Sequence, residues 1–315
     1  MKILLMDGHT LFQDDIPWSP LTSFGEVVFH ERTNQDQPLR SDADTDILIT
    51  NKALVGVREL DHYKSLKLVI VSATGYNCVD VKACAERGIP VCNVPAYGTY
   101  SVAQHTMAMM LEYSNHITLH NASVQRGEWS SCPDFSYTVS PIFEWHGKTM
   151  GIVGMGTIGS RVGNMAASMG MHVIYHHRRD LKLSDRYLVS LEKLAESSDV
   201  ISLHCPLNAS TEKMVNAEFL SAMKKTAILI NTSRGGLIDT AALRKALEEK
   251  QIAAALLDVL EKEPPPPDHP LIGLPNAIIT PHIAWISFEA RQRIFEIIKT
   301  TISSFETGQL INRVN

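Results

Sequence analysis

The sequence lacks the features that mark a membrane-spanning, secreted or nucleic-acid-binding protein. No apolar stretch approaches the roughly 18 residues that a helix needs to cross a membrane. There is no long basic run, and the formal net charge of -5 argues against a nucleic-acid partner. Only four apolar residues follow Met1-Lys2 before Asp7, which is too short for a signal-peptide core and is typical of a first strand. We therefore expect a cytoplasmic protein.

Cysteine is also sparse, with five residues in a chain of 315. Their number is odd and no two form a CxxC pair, so the sequence suggests neither a disulfide framework nor a zinc site, and no metal is expected. Hydrophobic residues make up 44% and charged residues 20%, which is ordinary globular usage, and the length leaves room for two domains. The cysteines are Cys78, Cys84, Cys92, Cys132 and Cys205.

Short apolar runs alternate with helical patterns along the chain, and this alternation predicts βαβ units around two parallel sheets. Asp239, directly before the helical pattern Thr240–Glu249, is expected to be an N-cap. The first series of expected strands is Ile3–Met6, Asp46–Ile49, Leu68–Val71 and Ile89–Val91. The second is Met150–Val153, His172–Tyr175, Val200–Leu203, Ile228–Ile230, Ala254–Leu257 and Ala277–Ile279.

Two longer helical patterns flank the second series. Ser101–His120 has apolar residues at helical spacing, and its methionines Met109 and Met110 are expected to pack in a core rather than bind a cofactor. At the end of the chain, Ile294, Ile298 and their helical neighbours share one face. This last helix follows the second sheet but could return to the first domain.

A glycine-rich loop follows the apolar run Met150–Val153. GxGxxG alone is a weak signal, but here it lies between an expected strand and an expected helix, as a dinucleotide site requires. Gly154 allows a tight turn, Gly156 allows close approach of a pyrophosphate, and Gly159 allows close helix–strand packing. The N–H groups at the helix start would face the phosphates. The loop comprises Gly154, Met155, Gly156, Thr157, Ile158 and Gly159.

The end of the next strand bears on which dinucleotide binds. An acid that grips the ribose 2′-OH is usual about 20 residues after the loop. After Tyr175 the sequence has His176 and His177, followed by Arg178 and Arg179, with no acid among these four residues. Guanidinium groups suit a 2′-phosphate, which favours NADP(H) over NAD(H), although a solvated basic strand end is the common alternative.

Three candidate catalytic residues follow three successive expected strands. Arg234 comes after Ile228–Ile230, Glu263 after Ala254–Leu257, and His282 after Ala277–Ile279. Ligands of open α/β sheets bind at the carboxyl ends of the strands. Each residue alone is more often a surface charge or a packed histidine, but together they indicate one site.

The chemistry of a 2-keto acid fits these residue types. Arg234 can hold the carboxylate through two parallel hydrogen bonds. His282 can donate a proton to the carbonyl oxygen as hydride reaches the carbon. Glu263 can orient the imidazole and stabilise its protonated form.

Eight segments spread over most of the chain have distinctive sequences. They are ATGYNCVD at 73–80, NVPAYGTYSVAQH at 93–105, PDF at 133–135, GMGTIG at 154–159, SLHCPL at 202–207, NTSRGGLIDT at 231–240, LLDVLEKEP at 256–264 and TPHIAW at 280–285. Through these segments the sequence resembles the D-isomer-specific 2-hydroxyacid dehydrogenase family, and within it most resembles the glycerate dehydrogenase and hydroxypyruvate reductase branch.

This resemblance implies an oxidoreductase that transfers hydride from NADPH or NADH to hydroxypyruvate or glyoxylate. It implies Arg234 as the carboxylate clamp, His282 as the acid/base and Glu263 as its partner. It further implies that Asp258 lies near the nicotinamide carboxamide and Thr232 near the nicotinamide ribose. Cys205 and Pro206 would lie along the cofactor; from the residues alone, Cys205 could also be a reactive thiol, but no adjacent base is visible.

The implied architecture is two doubly wound parallel-sheet α/β domains. Residues 1–99 and 284–315 would form a discontinuous, flavodoxin-like substrate domain, and 100–283 a Rossmann cofactor domain. In the former, backbone at Thr74 and Gly75 would help bind the substrate carboxylate. Trp285 either forms a wall of the substrate pocket or packs in the hinge. Members of the family are usually homodimers with the long helix near residue 100 in the interface.

Two other functions remain open. The first is a nucleotide-sensing binding protein of the same fold with little catalysis, which the complete Arg, Glu and His set argues against. The second is a methyltransferase with a similar glycine loop, which offers no reason for those three residues.

Overall fold

The computed structural model describes residues 1–12, 15–33, 43–183 and 186–315. It divides into two compact units, a first unit of residues 1–98 with 286–315 and a second unit of residues 99–285. These bounds lie within two residues of those expected from the sequence. Each unit is built around its own parallel sheet, so the predicted pair of parallel-sheet α/β domains is confirmed.

The sheet of the first unit has the strand order β2-β1-β3-β4-β5, which is the doubly wound order of flavodoxin-like folds. Strands β3 and β4 are buried along their whole length, as expected where helices cover both faces of a parallel sheet. Strand β2 was not predicted, because it is a short, partly exposed edge strand. The elements are β1 (Lys2–Leu5), β2 (Glu26–Phe29), β3 (Ile47–Thr50), α1 (Val57–His62), β4 (Leu68–Val71), α2 (Val81–Glu86), β5 (Val91–Asn93) and, from the end of the chain, α9 (Phe288–Glu306).

The second unit contains a seven-stranded parallel sheet of order β12-β11-β10-β9-β6-β7-β8. When the strands are numbered within this unit, beginning with β6, their order is that of the Rossmann fold. The direction of the strand order reverses between β6 and β9, which is the switch point. Its elements are α3 (Thr99–Asn115), α4 (Ile117–Gln125), β6 (Thr149–Val153), α5 (Thr157–Ser168), β7 (His172–His176), β8 (Tyr187–Leu188), α6 (Leu191–Ser197), β9 (Val200–Leu203), α7 (Ala217–Ala222), β10 (Ile228–Asn231), α8 (Thr240–Glu248), β11 (Ala254–Leu257) and β12 (Ala277–Ile279).

The single helix predicted over Ser101–His120 is wrong, because the chain forms α3 and α4 with a break at His116. His116 has a φ of +48°, a left-handed conformation that ends α3. The Glu112 carboxylate then accepts the N–H of Thr118 at 3.2 Å in the first turn of α4. The predicted packing of the methionines is confirmed, since Met109 and Met110 are buried in the core.

Two further features that the sequence raised are the N-cap at Asp239 and the position of the last helix. Asp239 accepts the N–H groups of Ala241 and Ala242, each at 3.0 Å, so the predicted N-cap of α8 is confirmed. Helix α9 lies in the first unit and buries Ile294 and Ile298 there. Within the described ranges, no helix combines the length and the apolar character needed to cross a membrane.

Candidate active site

The glycine-rich loop connects β6 to α5 in the conformation that a tight turn requires. Gly154 directly follows β6 and has a φ of +95°, which L side chains rarely adopt. A Cβ on Gly154 would lie 2.6 Å from the backbone nitrogen of Cys205. The Gly154 N–H donates to the His176 carbonyl at 2.9 Å, which ties the loop to the end of β7.

The other two glycines create close packing on one side of the loop and open space on the other. A Cβ on Gly159 would lie 2.2 Å from the Gly154 carbonyl oxygen, so only glycine allows α5 to approach the loop this closely. A Cβ on Gly156 would meet nothing within 4 Å. Gly156 is the N-cap of α5, no side chain caps the helix, and its first turn holds no acid. Open space beside uncapped N–H groups fits a pyrophosphate.

The side chains after β7 offer positive charge at the same edge of the sheet. Strands β6 and β7 are neighbours, with Val153 paired to His176. Arg178 and Arg179 are exposed, and no ion pair involves either of them within the described part of the chain. The first acid after β7 is Asp180, whose carboxylate accepts the Lys182 N–H at 2.8 Å and the Tyr175 hydroxyl at 3.2 Å.

Glu263 and His282 are in direct contact. The Oε2 atom of Glu263 lies 2.6 Å from Nδ1 of His282, and its Oε1 atom accepts the Leu260 N–H at 2.9 Å. Both side chains are partly exposed, at 34% and 28%. Because Nδ1 faces the carboxylate, Nε2 is the ring atom available to a ligand. This pair can hold a proton on the imidazole and deliver it from Nε2.

Asp258 holds the segment on both sides of His282. Its side chain is fully buried, and it accepts the N–H groups of Ile283 and Ala284, both at 2.9 Å. It also accepts the hydroxyl of Thr280 at 2.6 Å. The sequence did not single out Thr280, because a threonine before Pro-His has no distinctive spacing. The role implied for Asp258 at the nicotinamide carboxamide stays a prediction.

Arg234 follows β10, and its loop packs closely against the segment that leads to Glu263. A Cβ on Gly235 would lie 1.9 Å from the backbone carbon of Leu260, so a glycine is required there. The Arg234 side chain is exposed and donates from Nη1 to the Ser233 carbonyl at 2.7 Å. The side chain of Asn231 braces this loop by donating to the Arg234 carbonyl at 2.9 Å. Strands β10, β11 and β12 are neighbours, so the three predicted residues follow adjacent strand ends.

The other residues implied in cofactor contact lie around the glycine loop and the end of β10. Burial raises the pKa of the Cys205 thiol to about 11, which keeps it protonated at neutral pH and argues against a reactive thiol. The neighbouring Pro206 is exposed, and its carbonyl accepts the hydroxyl of Thr211 at 2.7 Å. Thr232 is buried, with its hydroxyl 2.9 Å from that of Thr106 on α3.

The residues implied in substrate contact belong to different units. Thr74 and Gly75 lie in the first unit, after β4, where the Thr74 hydroxyl donates to the Val94 carbonyl at 3.1 Å. Asn93 donates from its side chain to the Thr74 carbonyl at 2.8 Å, so this turn is held from two sides. Trp285 is the last residue of the second unit, half-buried and three residues after His282.

Comparison with known proteins identifies the family. Residues 107–284 match the NAD binding domain of the D-isomer specific 2-hydroxyacid dehydrogenases. A hydroxypyruvate reductase of Blautia hydrogenotrophica is 41% identical over the full length of both chains.

Two solved structures are also similar. An NADPH-dependent glyoxylate/hydroxypyruvate reductase from Sinorhizobium meliloti, in complex with citrate, is 30% identical with a TM-score of 0.85, covering 99% of this chain and 97% of the other. A D-lactate dehydrogenase from Aquifex aeolicus, with NAD and lactic acid, is 29% identical with a TM-score of 0.83, covering 100% and 99%. The chain belongs to the D-isomer specific 2-hydroxyacid dehydrogenase family and is a nicotinamide-dependent enzyme of that family.

Proposed function

We propose that the protein reduces a small 2-keto acid, hydroxypyruvate or glyoxylate, and so produces D-glycerate or glycolate. The observation that carries this proposal is the contact of Glu263 with His282 at 2.6 Å, beside the Arg234 loop, at the ends of three adjacent strands. The names of the Blautia and Sinorhizobium relatives support the choice of substrates.

In this proposal each of the three residues has a separate task. Arg234 binds the substrate carboxylate through two hydrogen bonds and so fixes the keto group. When bound, the reduced nicotinamide supplies the hydride that attacks the keto carbon. His282 gives its Nε2 proton to the carbonyl oxygen, and Glu263 stabilises the protonated imidazole before that transfer. The neutral His282 then takes up a proton from water.

The remaining implied residues complete the proposed site. Thr74, Gly75 and Trp285 stay predicted substrate contacts. On the cofactor side, the proposed contacts are Gly154, Met155, Gly156, Thr157, Ile158, Gly159, His176, Arg178, Arg179, Cys205, Pro206, Thr232 and Asp258.

A panel of 2-keto acids tests the substrate proposal. With saturating reduced cofactor, we expect the highest kcat/KM for hydroxypyruvate or glyoxylate, and a lower value for longer or branched keto acids. The discrimination per methylene is expected to be about 10- to 200-fold. Dinucleotide binding without turnover of any keto acid would refute the proposal and favour a nucleotide-sensing protein of the same fold.

We further propose NADP(H) as the preferred cofactor, on the basis of Arg178 and Arg179, exposed beside the glycine loop. In the double variant Arg178→Ala/Arg179→Ala, we expect the KM for NADPH to rise at least about 10- to 100-fold, because the loss of even one charge-assisted hydrogen bond to the 2′-phosphate costs about 1.5–3 kcal/mol. The KM for NADH, which has no 2′-phosphate, should change less than about twofold and serves as the internal control. An equal rise in both KM values would contradict this assignment.

We also propose a homodimer in which the interface includes α4 and the segment that follows it. Large apolar side chains are exposed there, including Ile117 at 63%, Trp129 at 52% and Phe135 at 90%. Large apolar side chains exposed along one segment are typical of an interaction surface. The proposed interface lies just beyond α3, the helix implied by the family resemblance.

Sedimentation analysis tests the proposed dimer. We expect a particle of twice the chain mass of 34.9 kDa, and a monomer for the double variant Ile117→Glu/Trp129→Glu, because buried charges oppose association. Leu188, exposed on the edge strand β8, provides the control variant Leu188→Glu, which should stay dimeric. A monomeric wild-type protein would contradict the proposal.

A further inference from the structure

A histidine on α3 is hydrogen-bonded to the catalytic segment, residues 280–284, which carries His282. Nothing in the family resemblance assigns this histidine a role. Nε2 of His105 lies 3.0 Å from the hydroxyl oxygen of Thr280 and 3.5 Å from Oδ1 of Asp258. The side chain is 20% exposed, whereas that of Asp258 is fully buried. His105 and Thr280 are 175 positions apart in the sequence and belong to the same unit.

The direction of these hydrogen bonds follows from the donors and acceptors present. The Asp258 carboxylate can only accept when it is ionised, so the Thr280 hydroxyl donates its one proton to Oδ1 at 2.6 Å. The Thr280 oxygen can then only accept from His105. His105 therefore carries a proton on Nε2. Its N–H donates to the Thr280 hydroxyl, which in turn donates to the Asp258 carboxylate.

The far end of this chain is the backbone around His282. Asp258 accepts the N–H groups of the two residues after His282, and its carbonyl accepts the His282 N–H at 2.8 Å. His282 has a φ of +55°, a conformation that persists only where its surroundings hold it. One turn before His105 on α3, the Ser101 hydroxyl donates to the Ala284 carbonyl at 2.6 Å. One face of α3 thus holds the catalytic segment at two points.

We propose that His105 is a positioning residue for the reaction. Its Nε2 proton fixes the Thr280 hydroxyl, which directs Asp258 to hold the backbone on both sides of His282. His105 itself does not touch substrate. Its loss leaves the Thr280 hydroxyl without the donor that orients it and loosens the segment that carries His282, and a displacement of about 1 Å in a catalytic group can cost about 10²-fold in rate.

Three variants test this role by steady-state kinetics with the keto acid that the wild-type enzyme turns over best. For His105→Leu we expect kcat to fall about 10- to 100-fold while the KM for the reduced cofactor stays within about threefold. For His105→Gln we expect most of the rate to return, because a side-chain amide can donate to Thr280. The control is His172→Leu, the same substitution at an exposed histidine at the amino end of β7, and its kinetics should match the wild type.

A double variant of His105 and Thr280 distinguishes a positioning role of His105 from a general effect on stability. If His105 acts through Thr280, the double variant His105→Leu/Thr280→Val has the same kcat as Thr280→Val alone. Multiplied losses in the double variant, or a kcat within twofold of wild type for a folded His105→Leu, would overturn the proposal.

The kinetic test of His105 rests on the proposed function. Hydrogen exchange needs no substrate and therefore tests the role of His105 by itself. Hydrogen exchange of the Ile283 and Ala284 amides is expected to be faster in His105→Leu than in His105→Gln or the wild type, because both amides are bonded to Asp258. If the wild-type protein turns over no keto acid, the proposed function fails and the exchange still decides the role of His105. Unchanged exchange at both amides would overturn that role.

Discussion

Replacing His282 by alanine is expected to lower kcat about 10²- to 10⁴-fold, because the proton for the carbonyl oxygen then has no positioned donor. The imidazole is held at Nδ1 by Glu263 at 2.6 Å, which leaves Nε2 for that proton transfer. The His282 side chain is 28% exposed and lies outside the core, so we expect its truncation to leave the sheet intact. Steady-state kinetics give kcat, and a fluorescence titration with reduced dinucleotide checks that cofactor binding is unchanged.

The matched control for this variant is His172→Ala. His172 is exposed at the opposite end of the sheet from the glycine loop, and its substitution should leave kcat unchanged. A His282→Ala enzyme with a kcat near that of the wild type would remove His282 from the reaction.

Replacing Arg234 by glutamine is expected to lower kcat/KM for the keto acid about 10²- to 10⁴-fold. Two charge-assisted hydrogen bonds to the carboxylate are lost, each contributing about 1.5–3 kcal/mol. Arg234→Lys keeps the charge but not the planar pair of donors, so we expect an intermediate loss. The loop itself is braced by Asn231, whose side chain holds the Arg234 backbone in all three enzymes.

Cofactor affinity and a second arginine provide the controls. The dissociation constant of the reduced dinucleotide should stay the same in Arg234→Gln. Arg244→Gln, on the exposed face of α8, removes an ion pair with Glu248 and should leave kcat/KM unchanged. A kcat/KM within about fivefold of wild type for Arg234→Gln would show that the carboxylate binds elsewhere.

The parts of the structure that were predictable from the sequence are those specified by local signals. The strand, glycine turn and helix around Gly154–Gly159 are encoded in consecutive residues, so the expected and observed bounds of β6 differ by one residue at most, and the expected helix follows the turn as α5. Glu263 and His282 could be expected to meet because each follows a parallel strand, and ends of adjacent parallel strands lie at one edge of the sheet.

The parts that were missed depend on contacts distant in sequence or on very short elements. The α3–α4 break was missed because the apolar pattern continues from Tyr113 to Ile117, while the left-handed His116 between them leaves no mark in that pattern. The edge strand β8 has only two residues, too few for any periodicity. The contact of His105 with Thr280 depends on the packing of α3 against the sheet, which no local spacing encodes.

The most direct test of the account is the ratio of kcat/KM for NADPH to that for NADH in the reduction of hydroxypyruvate by the wild-type enzyme, with the configuration of the product determined. We predict turnover to D-glycerate with NADPH favoured about 10- to 100-fold, as expected if Arg178 and Arg179 bind the 2′-phosphate. No turnover with either cofactor, or a preference for NADH, would contradict it.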